Sequence, residues 1–331
     1  MTLELSLSTY VDDITRPLVD GDVQPEGIEL HTIVEYPPRR HRRFFRHEEF
    51  DVAEVSLASY LSAMEEPERY PFTAIPVFPK KKFRHSFCYV HEDADIDSLA
   101  DLEGSRVGIQ SWQTTAAVWM RGIAAEHHGL DLTTVRWFRR RADDAAMTVP
   151  DRFDVRPIPG EQGGDGIESP DDLRDLLFRG DLDAAIDPSV ELFHEVMRAD
   201  EVDLLFDDPM AAEREYFERT GIHPPMHTVA IRDEVLDAHP WVAVSLLDAF
   251  RDARDLAFER RQNVSRTASL TWSHLHVHQQ RAILGDDAWE YGLSPRTSHE
   301  LSTFIRYAAD QGVAAERYDP ADLFFEPTLD R

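Results

Sequence analysis

The chain has 331 residues, 42% of them apolar, which is enough for two α/β lobes with separate cores and excludes an acidic disordered chain. It sets 63 acidic residues against 35 basic ones, only three of them lysine, for a formal net charge of -28. The absence of a basic stripe excludes nucleic acid as a partner. Acids spread along the whole sequence point instead to a surface kept hydrated in high salt, the charge strategy of halophiles.

MTLELSLSTY alternates apolar and polar residues like a strand and has neither the basic nor the continuous apolar region of a signal peptide. No apolar run approaches the ~20 residues of a membrane helix. The protein is therefore expected in the cytoplasm, without a membrane partner. Strands are expected at LELSLS (3–8), GIELHTIV (27–34), DVAEVS (51–56), HSFCYV (85–90), RVGIQ (106–110), DLDAAI (181–186) and HTVAIR (227–232), alternating with helix signals as in a mostly parallel α/β protein. Thr15 is placed to cap a short helix beside Arg16. The basic island RRHRRFFRH (39–47) is expected to pair with neighbouring carboxylates. All three lysines, Lys80, Lys81 and Lys82, fall in one run and read as a solvated rim before the fourth strand. Cys88 is the only cysteine, which rules out an internal disulfide and a cysteine zinc site; it reads as a small buried hydrophobe. A helix is expected from Thr114 or Thr115 to Gly129, and another over residues 240–262, with Trp241, Leu246, Leu247, Phe250, Ala253, Ala257 and Phe258 on one face. Residues 139–172, charged and then rich in Pro and Gly, have no apolar period and read as a long connection or flap. In HLHVHQQ (274–280), His274 and His278 share a helical face, but no adjacent carboxylate completes a set and no metal is expected.

Three stretches carry chemistry. In RVGIQSWQTTAAVWMRG (106–122) a strand gives way to a helix at Gln113, Thr114 and Thr115, where free N–H groups and the positive end of the helix dipole suit a carboxylate or phosphate; an ordinary N-cap explains Thr114 equally well. Arg84, His85 and Ser86 offer a bidentate carboxylate fork, a group that titrates near neutrality and a hydroxyl; a surface salt bridge is the alternative. His227 opens another strand and reads either as a proton-transfer group or as a hydrogen-bonded core histidine. Ser56 and Ser59 in EVSLASY add hydroxyl donors at a strand-to-helix turn.

Taken together, TRPLVDG (15–21), PEGIEL (25–30), FDVAEVSLASYL (50–61), AIPVFP (74–79), FRHSFCYV (83–90), VGIQSWQTTAAVWMRG (107–122), MHTVAIR (226–232), HPWVAVSLLDAF (239–250) and WEYGL (289–293) resemble the 4,5-dihydroxyphthalate decarboxylase family. The resemblance implies a type II periplasmic-binding-protein-like α/β fold: one lobe of residues 1–87 and 228–331, a second of 88–227, and a ligand cleft between lobes. It implies non-oxidative decarboxylation of a hydroxylated aromatic dicarboxylate such as 4,5-dihydroxyphthalate, with His85 and His227 catalytic and Arg16, Ser56, Ser59, Arg84, Ser86, Gln113, Thr114 and Thr115 binding substrate. No cofactor is expected, since the ring hydroxyls supply the electron density. The partner is a small aromatic carboxylate, and a homo-oligomer is compatible with the reading. A solute-binding protein, or another cytoplasmic enzyme of the menaquinone or thiamine-precursor type, remains as the alternative on the same fold.

Overall fold

The structure, a computed structural model, describes residues 2–158, 172–262, 269–329 and 331. Its strands are Leu3–Thr9 (β1), Ile28–Val34 (β2), Val52–Ser56 (β3), Phe72–Ile75 (β4), Cys88–His91 (β5), Arg106–Ile109 (β6), Arg136–Arg139 (β7), Asp154–Pro157 (β8), Ala184–Ile186 (β9), Val202–Leu204 (β10) and His227–Arg232 (β11). They form two mixed sheets, one ordered β2-β1-β3-β11-β4 and the other β10-β5-β9-β6-β7-β8. Parallel pairing of β1 with β2 and β3 follows from the helical crossovers between them, while β11 runs antiparallel to both β3 and β4. All five residues of β3 are buried, the behaviour of a central strand covered on both faces.

The first compact unit holds residues 1–82, 220–302 and 318–331, and the second holds 83–219 and 303–317. The expected division placed 303–317 in the first lobe. In the structure these residues join the second because Phe304 and Tyr307 pack on Trp119, with ring centroids 5.1 and 5.7 Å away. Likewise 83–87 falls in the second unit and 220–227 in the first.

Two helices form as their patterns dictate. Thr115–His128 ends at Gly129, whose φ of 72° is the left-handed C-terminal geometry that glycine adopts without strain. Trp241–Gln262 buries Leu246, Leu247, Phe250, Ala253 and Ala257, although Trp241 at its start is exposed. His85–Phe87, expected as the start of a strand, is a turn of 3-10 helix, and β5 begins only at Cys88, which is buried. The stretch read as a connection contains β8 and the end of β7. β8 is short and charged, as a sheet-edge strand is, and Arg156 pairs with Asp154 at 2.7 Å on the exposed side, so no apolar period marks it; of β7 only the terminal Arg139 falls in the stretch. Residues 159–171 of that stretch lie outside the described residues. Among the described residues no helix is long and apolar enough to cross a membrane.

Gly122 lies against Tyr307, and a Cβ there would sit 2.2 Å from the ring. Gly122→Ala is expected to destabilise the protein by about 1–3 kcal/mol, the usual effect of overpacking. Urea unfolding at fixed salt measures it.

Candidate active site

Glu54 is the anomaly of β3, a carboxylate 3% exposed in a strand whose other members are apolar or small. Three hydrogen bonds and one ion pair compensate it. Thr9 Oγ1 donates at 2.8 Å and the Tyr10 N–H at 3.0 Å, both from the end of β1. Arg40, wholly buried in helix Pro37–His47, forms the ion pair with Nη2 at 3.2 Å, and His227 of β11 contributes Nδ1 through a hydrogen bond. Arg40 also donates from Nε to the Glu54 carbonyl at 2.7 Å, so the guanidinium holds strand and carboxylate together. Burial opposes the Glu54 charge, but Arg40 and then His227 hold its pKa well below the usual range. Burial dominates at His227 and pushes its pKa down to about 3 despite Glu54. Burial favours the neutral imidazole, whose Nδ1–H then points to the carboxylate and leaves Nε2 as an acceptor. His41 packs edge-on against it at 5.3 Å. Asp12, on the loop after β1, completes the group: burial, then Glu54 and Asp13, raise its pKa to about 6.

Around this group, Ser56 faces His227 in the β3–β11 register, and its hydroxyl accepts from the Ser59 N–H at the start of helix Leu57–Ala63. Ser59 Oγ is buried with no hydrogen-bond partner among the described residues. Arg16 stands apart. It is exposed on the four-residue helix Arg16–Val19, with Asp20 4.0 Å away. Thr15 precedes that helix but makes no side-chain cap; its hydroxyl donates to the Tyr10 carbonyl at 2.9 Å.

The second unit carries the other predicted residues. Arg84 is buried and makes no ion pair among the described residues; its Nε has no hydrogen-bond partner, and its guanidinium lies 5.2 Å from the Phe87 ring. Burial lowers its pKa to about 10, opposed chiefly by Glu213. Glu213 itself is raised to about 7 by burial, while hydrogen bonds from Ser86 and the His85 backbone pull the other way. His85 is held between Phe206 and Tyr216, at 5.1 and 5.7 Å, with Nδ1 buried and unpartnered; burial lowers its pKa to about 4. Gln113 is occupied structurally: its amide donates to the Ala145 carbonyl at 2.9 Å and accepts from the Ala145 N–H at 3.1 Å. Thr114 precedes the helix without a side-chain cap, its hydroxyl engaged with Ser111, and Thr115 is buried in the first turn.

Sequence reasoning missed Glu54, Arg40, His41 and Asp12. It also placed Lys81 on a solvated rim, whereas Lys81 is 1% exposed and its Nζ lies 2.6 Å from Glu300. The basic island does pair as expected, Arg39 and Arg43 with Glu35 and Arg43 with Glu49. His274 and His278 are both exposed on helix Ser273–Leu284, and no group of three or more metal-binding side chains occurs among the described residues.

No family model matches the chain. It is 32% identical to the 4,5-dihydroxyphthalate decarboxylase of Comamonas testosteroni, over 99% of this chain and 98% of that one, and 33% identical to that of Pseudomonas putida, over 66% and 81%. Among solved structures it resembles the periplasmic aliphatic sulphonate binding protein SsuA of Escherichia coli (13% identity, TM-score 0.54, all of both chains). It also resembles the alkanesulfonate-binding protein SsuA of Xanthomonas axonopodis pv. citri bound to MOPS (11%, 0.55, 98% of each chain). These likenesses show a periplasmic-binding-protein-like fold.

His85, His223 and His227 are all buried with pKa values lowered to about 3 to 4. The unfolded chain binds protons at these imidazoles near 6.5 and the folded one does not, so stability present above that pH is lost as pH falls toward 3. At pH 5 unfolding is expected to take up about three protons from this source. The measurement is the slope of unfolding free energy against pH.

Proposed function

The chain belongs to the 4,5-dihydroxyphthalate decarboxylase family and is a carboxy-lyase, and from that premise we propose that it converts a hydroxylated aromatic dicarboxylate such as 4,5-dihydroxyphthalate to protocatechuate. The observation that carries the reading is the buried His227, whose Nδ1 is hydrogen-bonded to Glu54, a carboxylate that Arg40 also holds. In this reading Nε2 of His227 takes the proton of a ring hydroxyl. Electron density then reaches the para carbon that bears a carboxylate. Asp12, whose raised pKa lets it carry a proton, protonates that carbon. The bond to the carboxylate breaks, its electron pair returns to the ring, and CO2 leaves. The imidazolium gives its proton back to the ring oxygen, and Asp12 recovers one from water. The reaction consumes one proton, and the ring oxygens serve as the electron reservoir.

Arg84 is assigned the role of carboxylate anchor. A buried guanidinium without an ion pair is costly unless an anion arrives, and its planar fork matches a carboxylate. Within the second unit, Ser86 and the first turn at Thr114 and Thr115 are assigned to anion binding; within the first, Ser56, which faces His227 in the sheet, and Ser59 are assigned to hydroxyl recognition. His85 is assigned a shaping role, because its ring is enclosed by aromatic neighbours.

CO2 release from a panel of aromatic dicarboxylates tests the substrate. His227→Gln is expected to lower kcat by about 10²- to 10⁴-fold, the range for loss of an acid-base group. Arg84→Met is expected to act on KM, raising it by about 10- to 100-fold, as loss of a charge-assisted hydrogen bond does. His85→Gln is expected to stay within about tenfold, ~1.4 kcal/mol, of wild-type kcat. Wild-type turnover in His227→Gln, with folding verified by circular dichroism, overturns the assignment.

A further inference from the structure

Acidic residues make up about one position in five of this chain, 63 of 331, yet no Asp or Glu lies between Glu259 and Asp286. The described part of that stretch includes helix Ser273–Leu284, which turns Ser273 and Leu284 inward. Its outer face has an unusual composition. Leu270 is 70% exposed, Trp272 65% and Leu275 51%, three large apolar side chains within six positions of an otherwise strongly acidic protein. Continuing along the helix, Gln279 and Ala282 are also exposed. Trp272, Leu275, Gln279 and Ala282 recur at intervals of three, four and three, the spacing of a seam along which two helices interlock. His274, His276, His278 and Arg281 flank this seam.

We infer that this face is the surface through which two copies of the chain associate. Charge singles out the occupant. With a net charge of -28, most faces of one copy repel those of another, and the acid-free seam is where two copies approach without setting carboxylate against carboxylate. Nearby, Arg260 and Arg261 are already paired within the chain, with Asp22 and Asp13, so they contribute little net positive charge to repel a like surface. The exposed tryptophan and leucines supply what such a contact needs at its centre, an aromatic anchor with aliphatic neighbours. A seam that meets its own copy across a two-fold axis gives a closed pair, whereas docking of this seam on an acidic face elsewhere would leave a free end on each copy and grow without limit.

Sedimentation of the full chain in about 2 M KCl, where long-range repulsion is screened, is expected to give about 76 kDa, twice the 38.0 kDa chain, or a multiple of that pair. The double variant Trp272→Glu with Leu275→Glu is expected to halve the assembly while leaving circular dichroism and the thermal midpoint unchanged, because both side chains are exposed. Trp241→Glu, at another exposed tryptophan, is the control and is expected to leave the mass unaltered. A monomeric wild type at micromolar concentration overturns the inference. So does an assembly that survives the double variant, or one that Trp241→Glu dissociates equally.

Discussion

A carboxylate inside a β-sheet must be neutralised where it stands, and Glu54 imposes that requirement on the first unit. Its neighbours in β3 are Ala53 and Val55, both wholly buried, so water does not serve. The donors come instead from the end of β1, from the loop that follows it, from helix Pro37–His47 and from β11. Each must arrive in register. Because side chains alternate between sheet faces, a slip of one residue between β11 and β3 would turn His227 away and leave Glu54 short of a partner. The charge therefore fixes the same geometry that the proton-transfer reading uses, and loss of one partner is expected to destabilise by several kcal/mol as well as to impair turnover.

The second unit holds two buried arginines that illustrate why burial alone does not identify a site. Arg121 is fully buried in helix Thr115–His128, and burial lowers its pKa to about 9. It is nonetheless well accommodated. Its guanidinium lies 3.7 Å from the Trp112 ring centroid, Nε donates to Gln311 at 2.6 Å and Nη2 to the Trp112 carbonyl at 2.6 Å. Arg84 has an aromatic face at Phe87 but no comparable set of acceptors. The first arginine is tied into the core by its acceptors and its ring; the second has Glu213 as the main carboxylate acting on it.

How much of this was legible in the sequence depends on the range of the interaction. β1, β3, β11 and the two long helices announced themselves by local period, and Gly129 marked a helix end through a conformation only glycine takes easily. The family segments pointed to the fold. Glu54 did not stand out, since a polar residue in the middle of a strand normally marks a solvent face. Arg40 and His41 lie in a run of cations expected only to pair with neighbouring carboxylates, and nothing local shows that its helix turns Arg40, His41, Phe44 and Phe45 inward. The contacts that give these residues meaning join positions 40, 54 and 227, and no local pattern encodes such separations.

Lys81 shows the same effect with the charges reversed. Three consecutive lysines suggest one solvated patch, but strand-like pairing of Lys81 with Pro225 turns the middle side chain inward. There Glu300 receives Lys81 at 2.6 Å and the His223 N–H at 3.1 Å, with Arg296 Nε at 3.7 Å. An ammonium suits this position because its compact charge and three donors need no planar partner, whereas Arg40, which grips a carboxylate and a carbonyl together, requires a fork. In a chain with so few lysines, one of the three thus serves inside the fold. Arg40, Lys81, Arg84 and Arg121 are all interior, where each lies against a carboxylate, a backbone carbonyl or an aromatic ring.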